Sequence, residues 1–290
     1  PPVLLRLYAS QLAAEGRPAD ARALFEGRIR TNSRWREHEI EVARDLIRFM
    51  NAPNAARAWL NELDSDLLAE PALLIRFAQA WSDLAVRTAR GDDRLAAAEI
   101  AQRAVLEAGD AYAEPATLLR VEAARRMDAF AEASDLGRAA VGEFPDSVQA
   151  RCLLVQVWAD AHAAGVSDGI TGLSDQAALG HARAAAEIDA ASEAPGRFRA
   201  QILEETGRAQ LMAGTPREAE ESFRTLMAFQ PQNPSARIGL AEAFRDQGRL
   251  DQARRILFDP RLRDAMDRQP GLAERFDRVL ESLSVAIGGE

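Results

Sequence analysis

Residues 198–260 read FRAQILEETGRAQLMAGTPREAEESFRTLMAFQPQNPSARIGLAEAFRDQGRLDQARRILFDP. Within this stretch Gly214 is followed by Ala219, Phe223 and Pro231, and Gly248 is followed by Ala253 and Leu257. The two glycines stand 34 residues apart, as do the two alanines and the pair Phe223 and Leu257. A fixed period in that range marks stacked repeats rather than one globular core. Each unit packs only on its neighbours, so chain length sets no ceiling on such an array.

The rest of the 290-residue chain fits that reading. Alanine, leucine, arginine and glutamate dominate and strand-favouring runs are absent, which predicts an all-helical protein. The net charge of −9 argues against a nucleic-acid partner, whose phosphates demand a basic face. No lysine occurs, so every cation except histidine is a planar guanidinium suited to bidentate contact with carboxylate or phosphate. The bland source of that bias is a GC-rich bacterial genome. Cys152 is the single cysteine, which excludes an internal disulfide and a cysteine-based zinc site while leaving periplasm and cytoplasm both open. No apolar run reaches the roughly 18–20 residues needed to span a bilayer. The chain opens on Pro1-Pro2 without a methionine or a leader, and is read as a processed or excised piece whose targeting segment is out of view.

Helix pairs recur along the chain. Val3–Ala14 carries an apolar stripe at Leu4, Leu5, Tyr8 and Leu12, Gly16 ends it, and Pro18 opens a partner with Ala21, Leu24 and Phe25. A second pair runs from Arg34 to Phe49 and, after Asn51-Ala52-Pro53-Asn54, through Ala56, Leu60 and Leu63. The third begins near Pro71, reaches about Ala89, turns at Gly91-Asp92-Asp93 and continues to Ala108. The fourth spans Pro115–Met127 and Ala131–Phe144. The fifth starts at Val148, is interrupted by a glycine-rich insertion at 165–174, and resumes from Asp175 to Ala190. Glu193-Ala194-Pro195-Gly196 reads as a hinge, dividing repeats one to five (1–193) from repeats six and seven and a terminal helix, Gly271–Ile287 (194–290).

These spacings resemble the tetratricopeptide repeat (TPR) family. The matching residues are Leu203, Gly207, Leu211, Gly214, Ala219, Phe223 and Pro231 in repeat six, and Leu240, Ala241, Phe244, Gly248, Ala253 and Leu257 in repeat seven. Repeat four matches through Val121, Ala133, Ala140 and Pro145, and repeat one through Ala9, Gly16, Ala21 and Phe25. The resemblance implies an all-α solenoid of about seven helix pairs in a right-handed superhelix, closed by a C-terminal capping helix. It also implies a concave groove lined by the first helix of each pair. On this register the groove carries Arg6, Ser10, Glu41, Asp45, Arg48, Gln79, Asp83 and Glu122, then Arg125, Arg126, Gln156, Asp160, Glu204, Arg208, Glu242 and Arg245. Arg125 with Arg126 is the densest cationic pair and the expected grip on a partner carboxylate. The lysine- and asparagine-rich clamp of chaperone-tail adaptors is absent, its places taken by Leu118, Glu122, Cys152, Gln156, Glu204, Arg208, Ile238 and Glu242. Trp81 and Trp158 fall at packed aromatic positions, whereas Trp35 and Trp59 are less well placed and are candidate partner anchors.

Catalytic readings fare poorly. Gly165-Val166-Ser167-Asp168-Gly169 matches G-x-S-x-G, but a nucleophile elbow needs a strand before the serine, and a helix precedes it here. Cys152 and His162 are separated by about 15 Å of helical rise. His38, His162 and His181 lack metal-ligand spacing, Asp168 and Asp175 do not make a calcium loop, and without lysine no phosphate-binding P-loop exists. The expectation is a non-catalytic scaffold without cofactor or metal. It would bind a protein or peptide within a bacterial assembly of the envelope or polysaccharide-export kind. Self-association and service as the targeting arm of a larger enzyme stand as alternatives.

Overall fold

The computed structural model describes residues 2–31, 35–63, 70–88, 90–107, 109–266 and 270–288. The sequence-derived helix ends at Arg34, Ala89 and Ala108 lie outside the described residues, as does Pro1. The chain divides into two compact units, Pro1–Met127 and Asp128–Glu290. The first holds α1 (Pro2–Ala14), α2 (Pro18–Thr31), α3 (Trp35–Arg48), α4 (Pro53–Glu62), α5 (Pro71–Thr88), α6 (Gly91–Glu107) and α7 (Ala113–Arg126). The second holds α8 (Phe130–Glu143), α9 (Val148–Ala163), α10 (Asp175–Ala191), α11 (Arg199–Met212), α12 (Pro216–Phe229), α13 (Pro234–Asp246), α14 (Leu250–Leu257), α15 (Pro260–Met266) and α16 (Pro270–Gly288). No strand occurs among the described residues. Inside each unit consecutive helices pack on one another, and α1, α3, α5 and α7, like α9, α11, α13 and α16, also pack in series, the stacking rule of an α-solenoid.

The 34-residue beat has two physical sources. The first is helix termination. Gly214 and Gly248 sit at φ +67° and +73°, past the ends of α11 and α13. Their N–H groups, with those of Thr215 and Arg249, close on carbonyls of the last turn, a Schellman ending that a residue with a side chain adopts at a cost. Asn51 (φ 48°) and Asp128 (φ 58°) take the left-handed place in pairs without that glycine. The second source is close approach. A Cβ on Gly207 of α11 would lie 2.7 Å from the Phe223 ring, and one on Gly239 of α13 would lie 2.3 Å from it. The fully buried ring of α12 is therefore a wedge held between two bare backbones. Alanines fill the same role elsewhere: Ala9, Ala21, Ala43, Ala56, Ala133, Ala140, Ala219 and Ala253 are completely buried.

Several expectations change. The 193/194 boundary falls inside the second unit. There Asp189 of α10, itself buried, accepts the backbone N–H groups of Gly196 (2.8 Å) and Phe198 (3.2 Å), so the Pro195-Gly196 segment is tied down rather than hinged. Gly91-Asp92-Asp93 is the first turn of α6 and not a loop. Asp93 is drawn into that turn by Arg57 of α4, whose Nε donates to it at 2.6 Å. The short α15, between repeat seven and the terminal helix, was not read from the sequence. The 165–174 insertion follows α9 through a left-handed Gly165, buries Ile170, and leads into Ser174, whose hydroxyl accepts the Ala177 N–H at the start of α10.

The wedge makes two glycine substitutions behave oppositely. Gly239→Ala should lose about 1–3 kcal/mol by overpacking the ring, although alanine is the better helix former. Gly180→Ala, mid-helix in α10 with open space around it, should gain about 0.5–1 kcal/mol. Urea denaturation of the whole chain reads both; equal effects would remove the wedge from the account.

Candidate functional site

In the first unit the expected groove residues face one another along α1, α3, α5 and α7. Arg6 of α1 donates to Asp45 of α3 at 2.7 Å, and Ser10 stands beside the same carboxylate. Arg44 and Arg48 of α3 both reach Asp83 of α5 at 2.9 Å. On α7, Arg125 and Arg126 converge on Glu122, with contacts of 2.7 and 2.8 Å from Arg125 and 2.7 Å from Arg126. Arg126 also donates to the Ser82 carbonyl of α5 at 2.8 Å. Burial raises the proton affinity of Glu122, but the two guanidinium groups overcome it and hold its carboxyl down at about 2. The pair expected to grip a partner thus holds a carboxylate of its own helix.

In the second unit α9, α11, α13 and α16 present a groove of about 300 Å³. Ala159, Ala163, Leu211, Met212 and Val279 give it apolar surface. Its charged walls are Asp160, Arg208, Glu242, Arg245, Asp246, Arg275 and Arg278. Arg275 of α16 forks onto Glu242 of α13, with Nε at 3.0 Å from one oxygen and an Nη on the other, and touches Ser235 Oγ at 3.3 Å. Ser235 in turn donates to Glu204 of α11. The carboxyl of Glu242 is held below the usual range: burial opposes ionisation, and Arg275 outweighs it. Arg245 donates to Ser282 at 3.0 Å and to Asp246 at 2.7 Å. Arg208 lies under the groove beside three carboxylates, those of Asp160 (3.3 Å), Glu204 (3.5 Å) and Glu205 (3.9 Å).

Of the nine residues singled out by sequence, Asp160, Arg208, Glu242 and Arg245 line this groove, and Glu204 stands behind it on Arg208. Gln156 is half-buried one turn before Asp160 on α9. Arg48, Arg125 and Arg126 belong to the other unit. Arg275 and Arg278 were missed because α16 was read only as a cap, although their spacing puts both arginines and Val279 on one helical face. Glu205 was missed beside Glu204, since nothing in the sequence tells the buried neighbour from the half-exposed one.

The aromatic candidates also sort themselves. Trp59 is fully buried, donates its indole N–H to the Glu39 carbonyl at 2.9 Å and lies under Arg22, so it anchors nothing outside. Trp158 is buried with its N–H on Ser134 (2.8 Å), and Trp81 is buried on Phe77. Trp35 is half-buried between Phe25 and His38. Cys152 is buried, and burial, then Glu205 and Asp189, push its thiol well above the ordinary cysteine value, the opposite of a nucleophile. Among the described residues no group of three or more His, Cys, Asp or Glu could hold a metal ion. No described helix is long and apolar enough to cross a membrane.

Comparison with known proteins agrees with this architecture. Residues 210–271 match the family model described as tetratricopeptide repeat. A thermophilic TPR protein of Thermus thermophilus superposes with a TM-score of 0.50 at 20% identity, over 71% of this chain and 98% of that one. Yeast Tom70 aligns at 12% identity and a TM-score of 0.48, over 93% of this chain and 59% of that one. No curated protein matches by sequence. In fold, the chain is similar to tetratricopeptide repeat proteins, and residues 210–271 carry the repeat itself.

The Glu122 cluster gives a pH prediction. A carboxyl held at about 2 when folded and released to its ordinary value near 4.5 when unfolded contributes stability that is complete above the unfolded value. That contribution is lost as pH falls from about 4.5 towards 2. Glu122→Gln should cost on the order of 1–3 kcal/mol at pH 7 and flatten the acid loss over that window, read by urea melts at pH 7, 4 and 3.

Proposed function

We propose that the chain is a non-catalytic scaffold that holds a protein or peptide partner on the α9–α11–α13–α16 face of its second unit. The observation that carries this reading is convergence. Asp160, Arg208, Glu242 and Arg245 come from three different helices and line one groove with an apolar base. Alternating charge around an apolar patch is what recognition of a mixed peptide needs: burial supplies affinity and the fixed charges supply register. The setting proposed is a bacterial multiprotein assembly of the envelope or polysaccharide-export kind, which the resemblance to tetratricopeptide repeat arrays permits. Arg48, Arg125 and Arg126 are proposed as a structural ladder of the first unit rather than as the grip.

Affinity capture from the source cells, followed by titration of the captured partner, tests this. Arg245→Glu with Arg278→Glu should weaken the dissociation constant by about tenfold or more while the helical signal and melting temperature stay put. An unchanged dissociation constant overturns the assignment to this face.

Self-association is the second reading, and α1 favours it. Val3, Leu4 and Tyr8 are each more than half exposed on its outer side. Sedimentation equilibrium decides: a concentration-dependent mass that Leu4→Glu with Tyr8→Glu abolishes supports association, and a constant monomer mass removes it.

A further inference from the structure

Arg208 is shared more widely than the other inter-helix arginines described above. Arg6 closes on Asp45 at 2.7 Å and Arg57 on Asp93 at 2.6 Å, whereas Arg208 approaches three carboxylates without coming nearer than 3.3 Å to any of them. Two atoms in this cluster are orphaned. Glu205 Oε2 and Arg208 Nε are both buried without a hydrogen-bond partner, facing each other at 3.9 Å, too long for a bond. Glu205 is almost wholly buried, and so is Arg208.

The neighbours of Glu205 leave it short of positive charge. From α9 come Asp160 and the Cys152 thiol, on which Asp189 of α10 also acts. Its own helix adds Glu204 and Arg208, α13 adds Glu242 across Arg208, and α16 adds Arg275, already forked onto Glu242. From α12 the neighbouring group is the Phe223 ring, which packs on Gly207 and carries no charge. Three carboxylates thus share one guanidinium, and for Glu205, the buried one of the three, an uncompensated charge is costly.

We propose that Glu205 carries a proton in the folded protein at neutral pH, and that its release draws Arg208 inward onto Glu205 and away from Asp160. The groove wall then becomes less positive, because a guanidinium that lines it beside Asp160 withdraws. Burial, which pushes Glu205 up to about 8, supports the same reading. Its consequence for binding rests on the groove being the partner site, but the proton and the arginine movement stand without it. Partner affinity would then depend on pH in the slightly alkaline range, with basic partners favoured as the proton leaves.

The sign of the stability effect follows from linkage. Below about 4.5 the folded and unfolded chains both hold the Glu205 proton. Between there and about 8 only the folded chain holds it, so stability is fully present below the unfolded value and falls as pH rises through the window.

Carbon-13 carboxyl NMR on glutamate-labelled whole chain, with Glu205→Gln to assign the resonance, tests the proton directly. A Glu205 titration midpoint well above those of the surface glutamates is expected; a midpoint among theirs, below about pH 5, overturns the proposal. The Arg208 Nε–H resonance should move downfield with the same midpoint and hold still in Glu205→Gln. Titration of Glu205 with a motionless Arg208 overturns the exchange. Urea melts from about pH 5 to pH 8 should show the unfolding equilibrium constant rising by about tenfold or more in wild type relative to Glu205→Gln. Both chains changing in parallel overturns it as well. Loss of partner binding by Arg245→Glu with Arg278→Glu is read separately, so failure of the groove assignment and failure of the proton switch are distinguishable.

Discussion

Helices in this protein must come close enough for backbones to touch side chains, and most of the architecture follows from that requirement. Phe223 reaches across α11 and α13 because Gly207 and Gly239 leave nothing in its way. With the smallest side chains at the crossings, helix pairs nest at a fixed spacing, and a fixed spacing is what permits the same contact to recur 34 residues later. The cost is a core made largely of alanine. Each alanine buries little area, at about 25 cal/mol per Å², so stability has to be gathered over many interfaces.

Charge completes what apolar burial leaves thin. Between successive first helices, arginines reach acids or carbonyls of the neighbouring pair: Arg6 to Asp45, Arg44 to Asp83, Arg126 to Ser82, Arg208 to Asp160 and Arg275 to Glu242. These side chains are partly buried, so their contacts are worth more than exposed ion pairs and are less screened by salt. The guanidinium suits the task because it can serve two acceptors in one plane, as Arg126 does with Glu122 and Ser82. The first-helix face is thus a seam that joins one pair to the next. That duty limits which charges can turn outward, and in the second unit Arg245 and Arg278 sit at the groove alongside the seam.

The sequence made the repeating unit legible because periodicity reports what a residue does for its own helix. Gly214, Gly248, Ala219, Ala253 and Phe223 could be placed by counting, and each proved to be a terminator, a crossing point or a wedge. What escaped depends on partners in other helices. Gly239 was invisible as the second wall of the Phe223 slot, since a glycine in mid-helix carries no label for what approaches it. Asp93 reads as part of a turn until Arg57, 36 residues earlier, is known to stand opposite it. Asp189 reads as a surface acid until the returning chain offers two N–H groups. The charged face fared as its chemistry dictates. Its residues were read from their register on the first helices, but which of them also line an open groove, as Arg245 does while bonded to Asp246, is set by geometry across helices.

The seam bonds described above join residues 33 to 48 positions apart. Closing loops of that size costs little chain entropy, and the cost does not grow from one pair to the next. Folding can therefore start at any well-matched pair and spread outward by short steps, without waiting for the two ends of the chain to meet. A ribosome delivering such a chain hands over a finished interface roughly every two helices. The protein can thus become ordered at the pace of its own synthesis.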